Sequence, residues 1–153
     1  MTTTPDTVLD TQEGNRSVPP AIAGLHHLTL DVDDLEASRG WFGRVLGASH
    51  LENLDHYDDR GIKYAVILKI PGLIGVIQLR QATDQLHVQK GYDPITFEVA
   101  DVDALNAWLR HLDSCAVKHS PISRRKAGNA LDFFTPDGII LRLYANFAPA
   151  EQK

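Results

Sequence analysis

The 153-residue chain contains a single cysteine, Cys115. One thiol excludes an internal disulfide and any cysteine-rich zinc site. Aromatic residues make up only 7%, a thin supply for the stacked groove walls that hold a large planar ligand. No apolar run approaches the roughly 18 residues of a membrane span, so no membrane is expected as a partner. Positive charge is in the minority, with 15 Lys and Arg against 20 Asp and Glu and a formal net charge of −5. That mild acidity argues against nucleic acid or an anionic lipid surface as the main partner. The opening stretch MTTTPDTVLDTQEGNRSVPP has no basic segment followed by an apolar one, so no secretory signal is expected and the expected location is cytoplasmic. A phosphate-cradling glycine loop, a dinucleotide fingerprint and a Ser-His-Asp motif are also missing.

Hydrophobic residues reach 43%, enough to bury a core, and the length suits one domain. Residues 1–20 and 148–153 are polar and without apolar periodicity, and they read as tails. The expected folded domain runs from 21 to 147.

Within it the chain repeats itself. GLHHLTLDVDDLEA, starting at Gly24, aligns without a gap with GYDPITFEVADVDA, starting at Gly91, a constant offset of 67 (91 − 24). Thr29 falls on Thr96, Val32 on Val99, Asp34 on Asp101 and Ala37 on Ala104. Each copy opens with strict alternation. Leu28, Leu30 and Val32 oppose His27, Thr29 and Asp31, while Ile95, Phe97 and Val99 oppose Pro94, Thr96 and Glu98. An acidic cap follows, then a helical stripe: Leu35, Trp41, Phe42, Val45 and Leu46 in the first copy, Val102, Leu105, Trp108, Leu109 and Leu112 in the second. Three strands are expected after each helix, near 48–54, 63–70 and 74–81, then near 117–122, 130–135 and 139–144. Pro71-Gly72 and Pro136-Asp137-Gly138 supply turns. The prediction is an α+β fold of two βαβββ modules, 21–82 and 91–147, forming a curved mixed sheet around a cavity. His27 with Pro94, and Gln78 with Arg142, are expected to converge at its centre.

The stretches GLHHLTLDVDDLEASRGWFGRVLG, GYDPITFEVADVDAL and TPDGIILRLYA resemble the vicinal oxygen chelate superfamily, which holds glyoxalase I, extradiol dioxygenases, fosfomycin-resistance enzymes and bleomycin-binding proteins. The resemblance implies a metal held by a histidine on the first strand, a ligand at its repeat mate and glutamates on the final strands. Carried over residue by residue, His27 is kept, but the other positions fall on Pro94, Gln78 and Arg142. A proline has no ligating atom and a guanidinium repels a cation. No metal or other cofactor is therefore expected; a displaced ligand set using His26, His119 or Glu98 is the alternative. In place of the metal, Arg142 can offer donors to a carboxylate or enolate oxygen, His27 can move a proton, and Tyr144 can donate a hydrogen bond. Gln78, Thr29, Thr96 and His119 complete the expected substrate contacts. Against these roles stand plainer ones, with Arg142 paired to Glu98, Asp31 or Asp132 and His27 idle.

The expected function is that of a metal-independent lyase, isomerase or cyclase acting on a small oxygen-rich metabolite. Sequestration of a small molecule is the alternative, and a metal-dependent glyoxalase or dioxygenase the third. Relatives commonly pair two chains, which implies a homodimer.

Overall fold

A computed structural model describes residues 19–88 and 90–148. Most of the expected tails, 1–18 and 149–153, lie outside the described residues. Strand β1 (His27–Val32) leads into helix α1 (Leu35–Leu46), whose first turn is capped by Asp34 Oδ1 accepting from the Ala37 amide at 2.9 Å. Gly47, at φ 65°, ends the helix in the left-handed conformation that a side chain disfavours. Short strands β2 (Ser49–His50) and β3 (His56–Tyr57) flank a single 3₁₀ turn, Glu52–Leu54. Strands β4 (Lys63–Lys69) and β5 (Val76–Gln81) complete the first half. The second half contains β6 (Ile95–Glu98), α2 (Val102–Ser114), β7 (Ser123–Arg124), β8 (Gly128–Phe134) and β9 (Ile140–Asn146). Asp101 caps α2 through the Ala104 amide at 2.8 Å.

Two separate mixed sheets result. The first runs β1-β5-β4-β2, with β3 also on β4, and the second runs β6-β9-β8-β7. In each, the opening strand lies parallel to the last one, which is possible because a helix carries the chain across between them. Two expected strands are shorter than the pattern suggests. The stretch 48–54 breaks at the 3₁₀ turn, where Asp55 takes over part of the edge pairing. The stretch 117–122 keeps only an isolated bridge, His119 to Phe133. There Pro121 has no N–H to give, and Ser120 Oγ accepts the Asp132 amide at 3.0 Å in place of a backbone carbonyl.

Burial follows the two-residue alternation in β1, β6 and β9, whereas β4 is buried on both faces from Ala65 to Leu68. Leu30, Val32, Ile77, Leu79, Val66 and Leu68 point to one side of the first sheet, and Ile95, Leu141, Leu143, Leu131 and Phe133 to one side of the second. Both sides join one core with the helices. Trp41 of α1 stacks on Phe133 of β8 with ring centroids 6.3 Å apart, and His111 of α2 donates through Nε2 to the Val45 carbonyl of α1 at 2.8 Å. Asp137, in the β8–β9 turn, accepts from the Asp33 amide at 3.0 Å and from Ser38 Oγ at 3.3 Å. The halves thus pack back to back through their helix-bearing faces, each large side chain contributing about 1.5–3 kcal/mol by burial. Their polar faces are left open on opposite sides of the core.

Candidate functional site

The open face of the first sheet carries His27, Thr29, Asp31, Gln78 and Arg80. Register sets Thr29 beside Gln78 and Asp31 beside Arg80. His27 is exposed and its Nδ1 lies 2.9 Å from Nδ1 of His26, so one ring must present a proton to the other's lone pair. Arg80 holds Asp31 through Nε at 2.7 Å and Nη2 at 3.3 Å. That pairing keeps the guanidinium charged more firmly than usual, chiefly through the hydrogen bond to the carboxylate.

The open face of the second sheet carries Thr96, Glu98, Asp132, Arg142 and Tyr144, with Thr96 beside Arg142 and Glu98 beside Tyr144. Arg142 is the centre of this face. Its Nε and Nη2 bind Asp132 at 2.6 and 3.0 Å, and its Nη1 reaches Asp93 at 3.1 Å. Of the partners that the sequence offers it, Asp132 is the one engaged. Asp93 is an addition, legible only as an acid one residue before Pro94. One guanidinium between two carboxylates leaves a net charge of −1, so the cation is largely spent on its own neighbours. Glu98 accepts from Asn146 Nδ2 at 3.1 Å.

The expected convergence of His27 with Pro94 and of Gln78 with Arg142 does not occur within one chain, because the two faces point away from a shared core. His119 is also held elsewhere. Its Nε2 binds Asp113 of α2 at 2.9 Å and its Nδ1 binds the Ser120 carbonyl at 2.7 Å. The Asp113 contact, helped by Ser120, raises its pKa above the ordinary histidine value. A cleft of about 800 Å³ runs along β6, the free edge of the second sheet. It is lined by Leu28, Ile95, Phe97, Trp108 and Leu143, with Thr96 and Glu98 also on its wall. Ile74 (88% exposed) and Leu25 (61%) stand beside it.

A family model described as the Glyoxalase/Bleomycin resistance protein/Dioxygenase superfamily matches residues 24–143. The chain belongs to this superfamily. No curated protein matches it. Among solved structures, it is similar to the fosfomycin resistance protein FosX of Listeria monocytogenes, at 20% identity over 83% of this chain and 94% of that one, TM-score 0.65. A glyoxylase/bleomycin resistance protein/dioxygenase domain from Frankia sp. EAN1pec matches at 20% identity over 84% and 96%, TM-score 0.66. TnmS3, an antibiotic binding protein from Streptomyces sp. CB03234, matches at 18% identity over 84% and 100%, TM-score 0.68. These likenesses establish the fold.

A FosX variant has been solved with Mn(II) and 1S,2S-dihydroxypropylphosphonic acid, so the superfamily raises the question of a metal here. At the positions carried over from that ligand set, every residue but His27 is a poor ligand. Pro94 offers no donor, Gln78 is neutral, and Arg142 would set a positive charge beside the ion. Among the described residues, no three His, Cys, Asp or Glu side chains group to hold a metal.

Proposed function

We propose that this chain acts on a small oxygen-rich molecule without a metal ion, by hydrogen bonding and proton transfer, as a lyase, isomerase or cyclase. His27 is the acid–base group of the site. Arg142 and Tyr144 donate hydrogen bonds to the ligand's oxygens, and Gln78, Thr29 and Thr96 line its path. The observation that carries this reading is the Asp132–Arg142–Asp93 arrangement at the position where metal-dependent relatives keep a glutamate. Asp132 and Asp93 engage three of the guanidinium's five N–H groups, and the two left over are donors for a ligand oxygen.

A homodimer is part of the proposal. His27 and Gln78 lie on one open face and Arg142 and Tyr144 on the other, so a complete cup needs the first face of one copy against the second face of another.

The test begins with protein purified without added metal. Elemental analysis is expected to find transition metal well below one equivalent. A stoichiometric ion that disappears in His27→Ala would overturn the reading. NMR of small keto and hydroxy acids incubated with the protein is expected to reveal conversion, slowed by about 100-fold in His27→Ala. A second reading, sequestration, is favoured by the two carboxylates that already satisfy Arg142. Under it a bound ligand returns chemically unchanged after prolonged incubation.

A further inference from the structure

At the outer edge of the first sheet, opposite β1, the 3₁₀ turn opens a gap in the strand pairing, and the Asp55 side chain fills it. That side chain has no exposed surface. Its oxygens meet His50 Nε2 at 2.9 and 3.0 Å, Lys63 Nζ at 2.8 Å and the Ile67 amide at 3.3 Å. An ionised carboxylate only accepts, so Nε2 is the ring nitrogen that carries the proton in neutral His50. Nδ1 is then the basic nitrogen. Nε2 makes all of this ring's hydrogen bonds, and no buried side-chain nitrogen or oxygen among the described residues lacks a partner. Nδ1 therefore opens to solvent. Exposed Leu54 and Tyr57 adjoin the cluster, with Lys63 Nζ 5.7 Å from the Tyr57 ring centre.

This differs from His27, whose free-standing ring shares its Nδ1 with His26. His50 is aimed by a buried anion, and Lys63 keeps that anion charged. We infer that His50 is a general base that takes a proton from an acidic O–H or an activated C–H of a small molecule whose apolar body rests on Leu54 and Tyr57. The proton passes to Nδ1, the bonding pair stays on the ligand's oxygen or carbon, and the proton returns to ligand or water. Asp55 and Lys63 are positioning residues, and the imidazolium formed is stabilised by the carboxylate behind it.

The test uses the full chain and 5-nitrobenzisoxazole, a probe for bases that needs no natural substrate. Removal of its C3 proton turns the C–H pair into the third bond of a nitrile, breaks the N–O bond and releases a coloured cyanophenolate. Wild-type protein is expected to exceed an equal concentration of free imidazole by about 100-fold. His50→Ala is expected to lose nearly all of this and to regain part of it when imidazole is added, while His87→Ala, at an exposed site, keeps the wild-type rate. Since Asp55→Asn disturbs a buried charge, the ring is also read directly in wild type. Nitrogen-detected NMR is expected to find the proton on Nε2. A wild-type rate no better than imidazole, an undiminished His50→Ala, or a neutral ring protonated on Nδ1 would each overturn the inference.

Discussion

At the scale of single residues, the charges that matter are those whose partners are gathered round them by a turn and a neighbouring strand. Asp55 is the clearest. Burial alone would raise its pKa, but hydrogen bonds from Lys63, His50 and the Ile67 amide together bring it below the ordinary aspartate value. A depressed folded value means that the unfolded chain binds the proton more readily. The stabilisation is thus present above the unfolded pKa and lost as pH falls through the folded one. Asp55→Ala is expected to cost about 3 kcal/mol at pH 7, because Lys63 and the Ile67 amide lose their buried partner. Urea unfolding across pH 2.5 to 7 (~4 is the unfolded midpoint) checks it, with a shallower acid slope expected in the variant. Arg142 teaches the complementary lesson. Its place on the open face is legible from strand alternation, but its engagement by Asp93 is not, because that contact depends on how the chain enters β6.

At the scale of elements, the β8–β9 turn does more than reverse the chain. Its Asp137 is buried at 7% exposure and bridges to the N-terminal end of α1. Burial first, and the nearby Asp33 carboxylate with it, raise its pKa, while the Asp33 amide and Ser38 act the other way. A raised acid binds more protons folded than unfolded, so its contribution falls as pH rises through the folded value and is weakest near neutrality. Asp137→Asn keeps an acceptor for the Asp33 amide without the charge. It is expected to be at least as stable as wild type at pH 7 by thermal unfolding, with wild type gaining on it as the pH is lowered. Gly128, at the start of β8, has no room for a side chain: a Cβ would lie 2.1 Å from the Ala145 carbonyl oxygen and 2.6 Å from Tyr144 Cε1. Gly128→Ala is expected to lose about 3 kcal/mol in denaturant unfolding by forcing β9 aside. Neither constraint can be read from a turn motif or a lone glycine, since both are set by atoms of another element.

At the scale of the whole molecule, the edge of the chain matters as much as its core. β1 and β6 each pair on one side only, and the apolar cleft along β6 has projecting Ile74 and Leu25 beside it. Ile74 is held firmly. Lys69 Nζ donates to the carbonyls of Leu73 and Gly75. Gly75 (φ 89°) presses so close to the chain entering β1 that a Cβ would lie 2.7 Å from the His26 oxygen. An isoleucine fixed in water beside an apolar cleft suits a self-complementary contact. In light scattering, wild type is expected at twice the chain mass, and Ile74→Asp at one chain mass with an unchanged circular dichroism spectrum. A monomeric wild type would remove the homodimer from the proposed function.

The sequence by itself determined what depends on near neighbours. Two-residue alternation set which face of β1, β6 and β9 is buried, acidic caps set the starts of α1 and α2, and the α+β class followed from their order. The family resemblance, carried over residue by residue, implies metal-ligand positions that fall on a proline and an arginine. Tertiary structure decided what alternation leaves free, namely which way the two halves face each other. Pattern distinguishes a buried face from an open one, and it is equally satisfied whether the open faces meet or turn apart. Packing of Trp41 against Phe133 and the reach of Asp137 to α1 turn them apart, and burial of Asp55 selects His50 from seven histidines that look alike along the chain.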